Sequence, residues 1–180
     1  MRNDFLGDSL DMAKRALVSI LSSHGWQVFV FPLPAENQFD FEMYERLLNV
    51  KASNNVKVMN KPPLAFRYPT RGNYFEWMMQ SIRPLPSSNQ SMILLDPDKG
   101  IDSNKQTCEF LAMSEVSELV AVNKRCVVGA YHHRNVGGFS CEQLLERLKP
   151  VHSFAYDFGA AAMCFMSQDN KRLAELKSRY

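Results

Sequence analysis

Long apolar runs are missing from this sequence. None approaches the roughly 18 to 20 residues that a helix needs to span a bilayer, which excludes a helical membrane protein. The first residues, Met1 to Asp4, include an acid where a secretory signal peptide carries basic residues. The sequence therefore predicts a cytoplasmic protein without a membrane partner, and it leaves the oligomeric state open.

Cysteine is also scarce. The chain has 4 cysteines and no Cys-x-x-Cys pair, which argues against a zinc ribbon. A chain without an export signal gives no support for a disulfide framework. We expect buried free thiols at four positions, Cys108, Cys126, Cys141 and Cys164.

A large excess of charge of one sign is absent as well. The net charge is +2 over 180 residues, with 46% hydrophobic and 22% charged residues, which excludes collagen-like and wholly disordered chains. This length is typical of one domain, here residues 1–180. A net charge this small does not indicate a partner, because nucleic-acid binding depends on where basic residues cluster.

Basic residues do cluster within residues 51–83, where six Lys and Arg side chains stand against one acid. Aromatic residues are interleaved with them. Because basic groups neutralise phosphates and aromatic rings stack on bases, we expect this segment to bind DNA or RNA. The candidate contacts are Lys57, Lys61, Arg67 and Arg71. We expect 51–83 to form a basic, partly irregular insertion that is a loop up to Asn73. The alternative to nucleic-acid binding is a solvated connection whose aromatic residues anchor it to the core.

Apolar periodicity predicts alternating helices and strands. Helices are expected over 9–22, Asp40–Val50, Asn73 to Pro84, Ser114–Val122 and Ser140 to Pro150, and strands over Trp26–Leu33, Ser91–Leu95, Arg125–Tyr131, Ser153–Phe158 and Ala160–Ser167. The last two strands flank Gly159 as a C-terminal antiparallel hairpin, and 168–180 form a charged helix or tail. This order predicts a single three-layer α/β/α Rossmann-like domain with a mostly parallel sheet.

Two acids follow the apolar strand that ends at Leu95. Ligands bind at the carboxyl ends of strands in open α/β sheets, so Asp96 and Asp98 are candidate catalytic residues. Paired carboxylates can hold Mg²⁺ or Mn²⁺. The alternative is an ordinary turn, because Asp-Pro-Asp-x-Gly is a common turn sequence.

The next strand runs into His132, His133 and Arg134. A histidine suits general acid–base chemistry, and an arginine can contact a phosphate. Adjacent strand residues point to opposite faces, so one histidine should face the site. In the first helix, Asp11 and Lys14 share a face; Asp11 is a candidate metal ligand and Lys14 a candidate catalytic residue, unless they form only a surface ion pair.

Three short motifs carry a resemblance. They are Gly7-Asp8-x-x-Asp11-x-x-Lys14, Leu95-Asp96-Pro97-Asp98-Lys99-Gly100 and Tyr131-His132-His133. In them the chain resembles a poorly characterised bacterial and phage-borne family with the pattern GDxxDxxK, LDPDNG and YHH, although Lys99 replaces the family's asparagine. It is also distantly similar to ribosomal RNA adenine methyltransferases, whose DPPY motif follows the same strand. The second resemblance implies a fold rather than an activity.

These residues favour a metal-dependent nuclease that acts on DNA or RNA, with Mg²⁺ or Mn²⁺ as cofactor. One alternative is a methyltransferase-like protein that binds S-adenosylmethionine, but residues 31–36, which follow the first strand, contain no glycine for close approach to that cofactor. Another is a non-catalytic module of phage or mobile-element origin that binds nucleic acid or a protein.

Overall fold

The structure is a computed structural model that describes residues 9–33, 39–59, 71–85, 90–102, 110–133, 141–148, 152–159 and 161–179. The helices are α1 (Ser9–Ser23), α2 (Phe41–Leu47), α3 (Arg71–Ile82), α4 (Met113–Val122), α5 (Cys141–Arg147) and α6 (Asn170–Lys177), with a 3-10 helix over Val50–Ala52. The strands are β1 (Gln27–Leu33), β2 (Val56–Val58), β3 (Ser91–Pro97), β4 (Gly100–Asp102), β5 (Phe110–Ala112), β6 (Val127–His133), β7 (His152–Asp157) and β8 (Ala161–Ser167). None of these helices is long and apolar enough to cross a membrane.

Six of these strands form one sheet in the order β2-β1-β3-β6-β8-β7. The first four strands in this order are parallel to one another, and β8 runs antiparallel to both β6 and β7. Strands β4 and β5 pair in parallel as a separate small sheet. The prediction of a mixed α/β chain with a mostly parallel sheet is therefore confirmed.

The central strands are apolar on both faces, and they contribute to two separate hydrophobic clusters. In β1, Phe31 joins a hydrophobic cluster that also contains residues of α3, α4 and α5, whereas Val30 joins a second cluster with residues of α1, α2 and α6. Strand β3 is buried along its whole length. Continuous apolar runs of this kind are typical of parallel strands with both faces covered.

The segment after residue 50 differs from the expected loop. Val56–Val58 form β2, which pairs with β1 at the edge of the sheet. Its three residues are too few to show an apolar period in the sequence, so their pairing partner defines the strand. Helix α3 also begins at Arg71, two residues before the expected start at Asn73.

Strand β6 is longer than the sequence predicts. It continues through His132 and His133, two residues beyond the expected end at Tyr131. Both histidines pair with alanines of β8, at Ala162 and Ala161 respectively. The polar side chains end the apolar run but not the backbone ladder.

Candidate functional site

The chain changes direction across the sheet beside β1. Strand β2 lies on one side of β1 and β3 on the other, so the connections that leave the carboxyl ends of β1 and β3 diverge. Such a reversal opens a crevice in which α/β proteins bind ligands. Asp96 lies at this end of β3, in register with Pro32 of β1.

Asp96 is buried, and both of its carboxylate oxygens are engaged. The ammonium of Lys14 lies 2.8 Å from Oδ1, and the hydroxyl of Tyr44 donates a hydrogen bond of 2.6 Å to Oδ2. Lys14 comes from α1 and Tyr44 from α2, so two helices converge on one carboxylate. Each oxygen thus has one close partner, and a metal ion at Oδ1 would have to share this oxygen with a buried ammonium or displace it.

The Lys14 ammonium also lies 3.0 Å from Oδ1 of Asp11, one turn earlier on α1, and 4.4 Å from the ring centroid of Tyr131. The side chains of Lys14 and Asp11 are only 6% and 3% exposed, so the pair is not a surface ion pair. Lys14 occupies the position between Asp11 and Asp96 that a shared metal ion would need. The sequence predicts a site that contains Asp11 and Asp96, but it does not reveal that the Lys14 ammonium lies between them.

The charges of this cluster fix its protonation at neutral pH. Burial by itself lowers the pKa of Lys14, but the carboxylates of Asp96 and Asp11 outweigh it and the pKa is raised. Burial and the adjacent Asp96 raise the pKa of Tyr44 well above its ordinary value. Lys14 therefore stays charged and Tyr44 stays neutral, so neither is a proton acceptor.

These shifts predict a stability that falls at alkaline pH. A group whose pKa is raised by folding stabilises the folded state below its unfolded pKa, and that contribution is lost as pH rises through the folded pKa. For Tyr44 and Lys14 the loss begins above about pH 10. Urea denaturation of the wild type between pH 8 and pH 11.5 should show the unfolding free energy decreasing through this range. A Tyr44→Phe, Lys14→Met variant should show a shallower decrease, and equal slopes would contradict the assignment.

His133 lies beside this cluster through Tyr131. The Tyr131 hydroxyl is 3.4 Å from Nε2 of His133, and the two rings meet edge-on with centroids 5.0 Å apart. Tyr131 is buried, whereas His133 is partly exposed. His133 is therefore the accessible end of a series of contacts that begins at Asp11.

His132 points to the opposite face of β6. It is fully buried, and its Nδ1 accepts a hydrogen bond of 3.1 Å from the backbone N–H of Ile101 in β4. It does not share the surroundings of Asp96. Only one of the two adjacent histidines thus lies on the Asp96 side of the sheet.

Asp98 lies on the turn that joins β3 to β4 and is partly exposed. The backbone N–H of His133 donates to the carbonyl of Lys99 at 3.2 Å, which holds this turn against the end of β6. Among the described residues, no group of three or more His, Cys, Asp or Glu side chains could hold a metal ion. The carboxyl edge thus brings Asp98 and His133 into one neighbourhood without a ready-made metal cage.

The basic segment is only partly described. Lys57 is exposed on β2, Arg71 begins α3, and Lys61, Arg67 and Arg134 lie outside the described residues. Two aromatic residues of this segment anchor α3 to the core. Tyr74 donates a hydrogen bond of 2.6 Å to the Pro32 carbonyl, and Trp77 packs edge-on against Phe31. The ring of Tyr74 is buried and therefore not free to stack on bases, whereas Trp77 is partly exposed.

Sequence reasoning missed both tyrosines of the site. Tyr44 lies 52 positions from Asp96 in the chain, and no local pattern marks it as a hydrogen-bond donor. Tyr131 could have been identified, because it precedes His133 by two positions on a strand and so shares its face. The contact between its ring and the Lys14 ammonium could not have been identified in this way, because it depends on how α1 packs on the sheet.

Comparison of the chain with known protein families, curated proteins and solved structures found no match. The resemblance to the family with the GDxxDxxK, LDPDNG and YHH motifs therefore stays a prediction.

Proposed function

We propose that this chain is a metal-dependent phosphodiesterase that cleaves DNA or RNA, with Asp98 and His133 facing the substrate. The observation that carries the proposal is the hydrogen bond between the His133 N–H and the Lys99 carbonyl, because it holds the turn that carries the partly exposed Asp98 against the strand end that carries the partly exposed His133. Carboxylate and imidazole together can serve metal binding and proton transfer.

The metal is assigned to Asp98 rather than to Asp96 and Asp11. Lys14 and Tyr44 already engage both oxygens of Asp96, so a divalent ion there would displace a buried ammonium. Asp98 fits better because Mg²⁺ is commonly bound through one or two carboxylates together with substrate phosphates and water. A metal bound there would polarise the scissile phosphate.

His133 supplies the proton acceptor. As a water oxygen attacks phosphorus, the imidazole takes the proton of that water, the new P–O bond forms, and the P–O bond to the leaving sugar oxygen breaks. That oxygen keeps the bonding electron pair and takes a proton from solvent water, and the imidazolium later returns its proton to solvent. Lys14 and Tyr44 cannot take this proton because both remain protonated.

The buried cluster of Asp11, Lys14 and Asp96 instead holds α1 against the end of β3. The exposed Lys57 and the other predicted basic residues would bind the phosphate backbone.

We interpret the fold as a single three-layer Rossmann-like domain that ends in the antiparallel pair β7 and β8. A second candidate function follows from the distant similarity to ribosomal RNA adenine methyltransferases, which implies a fold rather than an activity. S-adenosylmethionine fits poorly, because Phe31-Pro32-Leu33-Pro34-Ala35-Glu36 offers no glycine after the first strand.

The test is incubation of the purified chain with supercoiled plasmid and with structured RNA, in the presence of Mg²⁺, Mn²⁺ or EDTA. We expect cleavage with a divalent ion and none with EDTA. His133→Ala should lower turnover about a hundredfold, because general-base catalysis typically contributes that much. His152→Ala, at an exposed position of β7, is the matched control and should leave turnover unchanged.

Calorimetry with S-adenosylmethionine and a methyl-transfer assay are run on the same preparations. Methyl transfer without cleavage would replace the nuclease proposal by the methyltransferase-like one. Binding of nucleic acid without either reaction would indicate a non-catalytic module.

A further inference from the structure

Two successive residues of β6, His132 and His133, form hydrogen bonds with the turn that carries Asp98. The backbone N–H of Ile101 donates to Nδ1 of His132 at 3.1 Å, and the backbone N–H of His133 donates to the Lys99 carbonyl at 3.2 Å. One bond uses a side chain of β6 and the other uses its backbone. The path from Asp98 into β4 is therefore fixed from β6.

Gly100 gives a second, independent sign of the same close contact. Its φ of +118° lies in a region that other residues rarely adopt, and a Cβ at this position would lie 2.6 Å from Nδ1 and 2.8 Å from Cα of His132. Real Cβ atoms do not approach other atoms so closely. The backbone at Gly100 thus lies directly against His132, and only glycine fits there without displacing one of them.

The hydrogen bond also defines the chemical state of His132. A backbone N–H is always the donor, so Nδ1 must be unprotonated and the ring proton of the neutral imidazole is on Nε2. With Nδ1 occupied and the side chain fully buried, His132 does not reach a substrate at this edge.

We propose that His132 is a positioning residue that holds the Asp98 turn against β6. The bond to Ile101 and the contact with Gly100 keep residues 98–101 in the path that places Asp98 beside His133. The consequence for turnover rests on the proposed nuclease function, whereas the consequence for the turn does not. Loss of the acceptor would leave the buried Ile101 N–H without its partner and loosen the turn.

The test compares His132→Asn with His132→Leu. Asparagine and leucine have similar shapes, but only asparagine offers an oxygen near the position of Nδ1. Amide hydrogen exchange followed by NMR should show Ile101 protected in the wild type and in His132→Asn, and exchanging at least tenfold faster in His132→Leu. The exchange rate of the Val30 amide in β1 reports global stability. In His132→Leu this rate should rise much less than the exchange rate of Ile101.

Activity and metal binding supply the second readout. Calorimetric Mn²⁺ titration should show about tenfold weaker binding in His132→Leu and recovery in His132→Asn, a change expected from the loss of an orienting contact. Equal Ile101 exchange in the leucine variant and the wild type would overturn the inference. Faster Ile101 exchange in a protein without nuclease activity would support the positioning role and reject the proposed function.

A second variant covers failure of His132→Leu to fold. In Gly100→Ala the added Cβ pushes the backbone at residue 100 away from His132, while His132 itself is unchanged. This variant should therefore also accelerate amide exchange at Ile101. Unchanged exchange in this variant would equally overturn the proposal.

Discussion

Replacing Lys14 by methionine is expected to lower the free energy of unfolding by about 3 to 5 kcal/mol, the usual cost of removing one partner from a buried ion pair. The substitution keeps an apolar stem of similar length but removes the ammonium that Asp11 and Asp96 share. Two buried carboxylates then lose their common cation. Urea denaturation at pH 7 measures the effect, and Lys57→Met, at an exposed position of β2, is the control that should change stability by less than about 0.5 kcal/mol.

A double variant tests whether the loss comes from the charges. Adding Asp96→Asn to Lys14→Met removes one of the two carboxylates that have lost their cation, so the double variant should be more stable than Lys14→Met alone. If the two substitutions acted independently, their costs in unfolding free energy would add, and the double variant would be less stable than Lys14→Met. A cost below about 1 kcal/mol for Lys14→Met would show that the buried cluster does not hold α1 in place.

Sequence patterns predict the longer elements of this fold because their periodicity extends over several turns or residues. The stripe of α1 and the apolar runs of β1 and β3 are of this kind, and their bounds agree with the structure to within two residues. Strands β2, β4 and β5 have only three residues each, and no pattern of that length separates a strand from a loop. They exist because a neighbouring backbone offers hydrogen bonds.

The candidate site likewise combines contacts that the sequence predicts with contacts that depend on how distant parts of the chain pack. Asp11 and Lys14 are neighbours on one turn of α1, so their proximity can be read from the sequence. Asp96 is expected at the same edge because it ends a buried strand. The contact between Lys14 and Asp96 depends on how α1 packs on the sheet, and it is the reason that we propose an ion-pair role for Asp96 in place of the expected metal-ligand role. Only the docked helix reveals that change.

The histidines show where strand alternation is informative and where it stops. Alternation predicts that His132 and His133 point to opposite faces. It does not say how either of them contacts the turn over Lys99 and Gly100, because that turn is held by long-range hydrogen bonds to β6. Gly100 is a local sign of a tight turn, but the atoms that exclude its Cβ belong to His132.

The two aspartates that follow Leu95 are expected to respond differently to the same substitution. Asp98→Asn should reduce metal-dependent turnover at least about a thousandfold, because it removes the carboxylate assigned to the metal. Its unfolding free energy should change by less than about 1 kcal/mol, since Asp98 lies on a partly exposed turn. Asp96→Asn should instead destabilise the fold by about 3 kcal/mol, because it removes one charge from the buried pair with Lys14.

Measured side by side, the two variants separate catalysis from folding. Turnover is determined at saturating Mg²⁺ and at a temperature where Asp96→Asn remains folded, and circular dichroism in urea gives the stabilities. Asp96→Asn should then keep most of the wild-type turnover, because Asp98 and His133 are intact. The opposite pattern, with turnover lost in Asp96→Asn and retained in Asp98→Asn, would move the metal to the buried acid and require Lys14 to leave it when the metal binds.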